Sequence, residues 1–170
     1  MAETGPYLAE RLRVEGEKSV RFFEELAPED WGRTIYTEGS RWSVRDIVAH
    51  FVAAEYAFTL LIDNILQGGS GSPEDLDLNE YNERRVAKLN ADSVPELLAK
   101  FSQYRNANAQ RVESLSAADL ERRGRHPFLG VAPLVDIIKL IYRHNQIHQR
   151  EIRQALAPAM NSIEDGTTPT

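Results

Sequence analysis

Apolar residues recur every three or four positions in four long segments, and nowhere does a two-residue alternation last, so the chain is restricted to helices packed on helices. The first segment covers about 6–26, sets Leu8, Leu12, Phe22, Phe23 and Leu26 on one face, and ends before Pro28. The second opens at Ser43 with Asp46 three positions on, the pattern of a capping box, and Trp42 is placed to pack on Ile47 as a hydrophobic staple. Its stripe is Val44, Ile47, Val48, Phe51, Phe58, Ile62 and Ile65, and it stops at Gly68 and Gly69. Ser93 with Glu96 repeats the capping pattern for a third helix, with Val94, Leu97, Leu98, Phe101, Val112 and Leu115 on its face. A fourth begins near Pro133, read as a first-turn proline, and continues to about Leu156. Between the second and third lies the flexible, acidic stretch GGSGSPEDLDLNE, followed by YNERRVAKLN, which suits a short helix; GRHPFLG before the fourth reads as a loop. The expected fold is all-α: a four-helix bundle with long crossover connections, forming a single domain over 1–157 with a disordered tail at 158–170.

Composition narrows the partners. The chain has 170 residues, a size suited to one core, and its net charge of −6 comes with basic residues scattered among acidic ones. That pattern speaks against nucleic acid. No uncharged run approaches the roughly 18 residues of a membrane span, and MAETGPYLAERLRVEG lacks the apolar run of a signal sequence, so a cytoplasmic protein without membrane contact is expected. Cysteine is absent, which excludes disulfides, thiolate ligands and a cysteine nucleophile. Any thiol chemistry needs a thiol from outside.

The segment RHNQIHQREI concentrates two of the four histidines. At about 100° per residue, His144 and His148 lie one turn apart on the face that carries Leu134, Ile137, Ile138, Ile141 and Ile152. Two imidazoles so placed can reach one metal ion. His50 lies on the flank of the second helix beside Ala54, Ala57 and Leu61, where it can face the fourth helix and complete a three-histidine site. Imidazole suits zinc, nickel, copper and iron(II), and three neutral imidazoles with an open position are a known catalytic arrangement for zinc. The spacing fits equally well an ordinary helix histidine at position 50 and two core histidines bonded to carbonyls.

The succession WSVRDIVAHFVAAE, a long variable middle, and LGVAPLVDIIKLIYRHNQIHQREI resembles the DinB-like four-helix-bundle superfamily of metalloenzymes across nearly the whole chain. The resemblance implies that His50, His144 and His148 bind a divalent metal, with zinc or nickel the expected ions and iron(II) a further candidate. Members of the superfamily include mycothiol-dependent maleylpyruvate isomerases, bacillithiol S-transferases and the iron-binding domain of ergothioneine sulfoxide synthases. The isomerases are similar to ExxxH where this chain has His144 at the first position, and the ergothioneine enzymes show HxxxHxE where Glu151 here is displaced by one. The bacillithiol-transferase type, with three histidines in one small domain, is the nearest pattern. It implies a low-molecular-weight thiol as cosubstrate and a small-molecule electrophile as substrate.

Polar residues interrupt every stripe near its middle: Glu15 and Ser19, Glu55, Arg105 and Asn108, then Asn145. Glu55 and Arg105 are the candidate catalytic residues, Glu55 or Glu15 orienting an imidazole or moving a proton and Arg105 holding a substrate carboxylate in two hydrogen bonds. The competing reading is a Glu55–Arg105 ion pair that offsets the cost of burying either charge. Glu151 is a candidate for supporting a ligand, His126 stands apart from the histidine cluster as a candidate for the pocket mouth, and Tyr56 and Tyr142 read as packing residues. Leu140 and Ile147, about 100° or more from the stripe centre, suit a neighbouring helix or a second subunit, hence a homodimer. Three functions fit: a metal-dependent thiol S-transferase, a metal-dependent hydrolase, or a non-catalytic metal- or ligand-binding stress-response module.

Overall fold

A computed structural model describes residues 3–158. The four long helices are α1 (Gly5–Glu24), α2 (Val44–Leu66), α4 (Val94–Glu113) and α6 (Leu134–Leu156). The short helices are α3 (Leu78–Ala87) and α5 (Ala117–Leu120), and a hairpin of β1 (Arg123–His126) and β2 (Gly130–Pro133) leads into α6. Both expected capping boxes form: the Ser43 and Ser93 side chains accept from the amides of Asp46 and Glu96, whose carboxylates reach back to the cap amides. A third, Ser116 with Asp119, starts α5. Most of the expected tail, 159–170, lies outside the described residues.

Each of α1 and α2 packs against both α4 and α6, so α1 stands across the core from α2. The links from α1 to α2 and from α4 to α6 therefore cross the bundle, at 25–43 and 114–133, whereas 67–93 joins the neighbours α2 and α4. The core is divided lengthwise. One apolar cluster holds Leu8, Leu12, Phe58, Ile62, Val112, Ile137 and Ile141, and the other holds Phe23, Ile47, Phe51, Leu97, Phe101 and Ile152. Between them lie buried polar side chains: Glu15, Ser19, His50, Glu55, Arg105, Asn108, Asn145 and Gln149.

The expected loop at GRHPFLG is instead a β-hairpin with Arg123 opposite Pro133 and His126 opposite Gly130. Its strands are four residues each and show no apolar alternation, so periodicity carries no trace of them. Packing fixes the hairpin. A Cβ on Gly124 would meet Ile65 Cγ1 at 2.4 Å, and Gly71, at φ +91°, bridges to Arg125 where a Cβ would meet the Arg125 amide nitrogen at 2.3 Å. Pro133, expected inside the first turn, is instead the N-cap of α6 with extended backbone, because it is also the last residue of β2, paired with Arg123. No helix among the described residues is long and apolar enough to cross a membrane.

Candidate metal centre

The centre is built by α2 and α6. The capping box at Ser43 fixes the phase of α2, so that a stripe of Val44, Ile47, Val48 and Phe51 buries itself and His50 is carried with it to 5 % exposure. On α6, Ile141 and Ile152 anchor the same face on either side of His144 and His148. The three expected ligands meet. His50 Nε2 lies 2.9 Å from His144 Nε2, which lies 3.0 Å from His148 Nε2. The rings stand nearly perpendicular to one another, at 77° to 88°. Phe51 packs on His144 and His148, and Trp42 lies 4.8 Å from the His50 ring. Trp42, expected to staple the helix at Ile47, shares a cluster with that residue and also walls the histidines.

This arrangement fits a divalent cation better than it fits hydrogen bonding alone. Burial and the neighbouring imidazoles push His50 down to about 3 and hold His144 well below the usual histidine range, so both rings are neutral. A neutral ring nitrogen either carries one proton or offers one lone pair. His144 Nε2 faces two other Nε2 atoms with a single proton or lone pair to offer them, so only one contact can be a well-aligned hydrogen bond and the other is weak or repulsive. A cation accepting all three lone pairs removes that conflict. With Nε2 so used, the protons sit on Nδ1, and the Nδ1 atoms of His50 and His144 have no hydrogen-bond partner among the described residues. Among those residues this is the one group of histidines and carboxylates close enough to share an ion.

His148 alone is held by a polar partner. Its Nδ1 lies 2.5 Å from the Tyr36 hydroxyl and 3.4 Å from a Glu151 carboxylate oxygen, and Tyr36 also donates to that carboxylate. Burial, then the hydrogen bond and charge of Glu151, raise the Tyr36 pKa far above the usual tyrosine range, so the hydroxyl keeps its proton. Burial lowers the His148 pKa, with Glu151 opposing. The consistent assignment is His148 Nδ1–H donating to Tyr36 Oη, and Tyr36 Oη–H donating to Glu151, which leaves His148 Nε2 with its lone pair toward the other histidines. Tyr36 escaped the sequence reading because it lies in an irregular segment. That segment is pinned as Ile35 N–H donates to the Trp42 carbonyl at 2.8 Å, with Thr34 bridged to Ser43, which turns both aromatic rings toward the histidines.

Glu55 and Arg105 are brought to each other. Arg105 donates through Nε and Nη2 to Glu55 Oε1 at 2.9 and 2.6 Å, through Nη1 to the Leu12 carbonyl at 3.2 Å, and through Nη2 to Asn145. Asn108 donates to the other Glu55 oxygen at 3.0 Å. Both residues are 1 % exposed, and neither lines the cavity beside the histidines. Arg105 has no free fork for a carboxylate, and Glu55 has no free oxygen for a proton. Glu15 is likewise engaged, by Lys18 and Gln146 at 2.9 Å.

The three histidines open onto a cavity of about 1120 Å³. Ala54, Ala57 and Leu61 continue its wall from His50, and Leu140 and Ile147 face into it as well, so both leucine and isoleucine have a place within one chain. His126 lines the same cavity, stacked on Phe58 with ring centres 5.5 Å apart. Tyr142 is buried in the core, and Tyr56 packs on Tyr104 away from the cavity.

A family model described as the DinB superfamily matches residues 11–152. Curated proteins give no match. The chain belongs to the DinB superfamily.

Proposed function

Taking that membership as the premise, we propose that this protein is a divalent-metal-dependent enzyme that transfers a low-molecular-weight thiol to small electrophiles. The observation that carries the reading is the convergence of three neutral imidazoles, 2.9 and 3.0 Å apart in succession, at the wall of a cavity large enough for two small molecules. An ion held by neutral ligands keeps its full charge and lowers the pKa of a thiol or water that reaches it. The protein supplies the rest. His50, His144 and His148 are the proposed ligands; Tyr36 and Glu151 fix the tautomer and orientation of His148; Phe51 and Trp42 exclude water from behind the rings. The chain has no cysteine, in keeping with a nucleophile that arrives as a cosubstrate. Glu55 and Arg105 serve this scheme as the brace between the helices that carry the site, and the proposal gives them no contact with substrate.

In the proposed reaction the thiolate sulfur donates an electron pair to an electrophilic carbon, a C–S bond forms, and a halide leaves with the bonding pair it held. The test is conjugation of 1-chloro-2,4-dinitrobenzene by the zinc-, nickel- or iron(II)-loaded protein with bacillithiol, mycothiol or glutathione. A rate that exceeds the uncatalysed one, requires both metal and thiol, and disappears in His144→Ala supports the transferase. Turnover of an ester substrate that needs metal but no thiol would replace it with the hydrolase, and tight metal binding without any turnover would leave a binding module.

A further inference from the structure

His126 is held by the turn that follows it and by a stacked ring. It ends β1, and the chain turns through Pro127, Phe128 and Leu129 before β2 begins at Gly130. Within that turn the amides of Phe128 and Leu129 donate to His126 Nδ1 at 3.0 and 3.4 Å. A nitrogen that accepts from backbone amides carries no proton, so the proton of the neutral ring belongs on Nε2. The Phe58 stack, with planes 13° apart, fixes the ring as firmly as the amides fix its tautomer. Among the described residues nothing accepts from Nε2, while the ring lines the cavity that the metal-binding histidines also line. The hairpin has set a hydrogen-bond donor in a largely apolar wall, with Ala57, Leu61, Leu140 and Phe128 around the same space.

The charge of that wall completes the argument. No lysine or arginine among the described residues lines the cavity, and Arg105 is spent inside the bundle. Two carboxylates, Glu38 and Glu83, stand in its lining. Apart from the ion, which the thiolate is to occupy, an anionic substrate would meet no protein cation and two negative charges, whereas an uncharged molecule loses nothing there.

We propose that the cavity takes an uncharged, apolar-bodied electrophile bearing one acceptor oxygen, a ketone or aldehyde carbonyl being the simplest, and that His126 Nε2–H is the donor that receives that oxygen. This rests on the reading of the cavity as a substrate site. It is tested by binding, so that a failure of thiol transfer and a failure of this assignment are told apart.

The probes are acetophenone and α-methylstyrene, equal in shape and differing in the carbonyl oxygen, titrated calorimetrically into the full-length metal-loaded protein. Wild type is expected to prefer acetophenone by roughly threefold to tenfold, the net worth of one hydrogen bond. His126→Phe keeps a ring to stack on Phe58 but loses both the Nδ1 acceptor and the Nε2 donor, and should bind the two probes alike. His126→Gln, whose amide nitrogen stands about where Nε2 does, should regain part of the preference. Nitrogen-15 spectra of the imidazole should show Nε2 protonated and Nδ1 bare. The assignment is overturned if wild type does not discriminate, if His126→Phe discriminates as well as wild type, or if the proton is found on Nδ1.

Discussion

The bundle buries two groups of polar side chains side by side and satisfies them to opposite degrees. In the Glu55 group no buried side-chain nitrogen or oxygen is without a partner: the guanidinium reaches Glu55, Leu12 and Asn145, Asn108 reaches Glu55, and Thr59 reaches Asn108. In the histidine group the ring nitrogens crowd one another, and two Nδ1 atoms have no partner among the described residues. A network complete in itself is a brace, since any ligand would first have to break it. A cluster incomplete in itself is a site, since a ligand is what completes it. The contrast separates roles that residue type alone confuses, because a buried Glu–Arg pair and a histidine trio look equally catalytic in a sequence.

The largest expected effect lies in the complete network. Arg105→Met removes the only cation paired with Glu55 among the described residues and leaves a buried carboxylate without compensation, a loss of about 3–5 kcal/mol in unfolding free energy. Glu55→Leu added to it should recover most of that loss, because two apolar groups need no pairing. Urea denaturation of the single and double variants checks both statements, and the folded double variant should still bind metal. A double variant no more stable than Arg105→Met would mean that the network does more than cancel its own charges.

The incomplete cluster should behave in the reverse way. His148→Ala is expected to drop the bound ion from about one per chain to none, measured by metal analysis after reconstitution, while the metal-free protein keeps its helicity and loses only about 1 kcal/mol, the worth of the one hydrogen bond to Tyr36 that is broken. Equal metal content in variant and wild type would remove the site.

Acid should expose the same asymmetry. His50 is lowered to about 3 from an ordinary 6.5, and His144 is lowered in the same direction. Above pH 6.5 folded and unfolded chains are both neutral at these positions and nothing changes. As pH falls below 6.5 the unfolded chain takes up protons that the folded chain refuses, so stability is lost down to about pH 3. For the metal-free protein the slope is about 1.4 kcal/mol per pH unit for each such histidine, or roughly 2 kcal/mol between pH 6.5 and 5. His50→Phe should remove one histidine's share of the slope, read from denaturation midpoints across that range. An unchanged slope would show that His50 titrates normally.

The fold was legible where local rules act alone. The capping boxes at Ser43 and Ser93 and the stripes of α2, α4 and α6 are set by hydrogen bonds and periodicity within about one helix, and those elements form as expected. The histidine trio was legible in part: i, i+4 spacing on α6 and a flank position on α2 follow from the same periodicity but fit ordinary histidines equally well, and the resemblance to the DinB-like superfamily decided between the two. The Glu55–Arg105 pair could be foreseen only as one of two readings, because the choice depends on which helices are neighbours. Tyr36 and Trp42 were out of reach as parts of the cavity, and His126 could be offered only as a candidate for its mouth. They sit on segments whose paths are set by tertiary pairing, Ile35 to Trp42 and Gly71 to Arg125, and neither pairing leaves a repeating pattern in the chain.

The finest test of the contrast is Tyr36, because it is the point at which the incomplete cluster borrows a partner. Of the three histidines only His148 has Nδ1 engaged, through Tyr36 to Glu151. If that engagement orients a ligand, Tyr36→Phe should keep the ring packed between Trp42 and His148 yet leave Nδ1–H with only the longer 3.4 Å contact to Glu151. The expected outcome is a metal affinity weaker by about tenfold, at the lower end of what removal of a ligand's outer partner costs, since Glu151 remains within reach. Competition with a chromophoric chelator measures it. Glu151→Gln should give an effect of similar or smaller size, because an amide oxygen still accepts from the tyrosine, and the two substitutions together should cost little more than Tyr36→Phe alone, as expected for consecutive links of one chain. Additive losses would instead mean that tyrosine and carboxylate act on His148 separately, and unchanged affinity in Tyr36→Phe would show that packing by Phe51 and Trp42 suffices to hold all three rings.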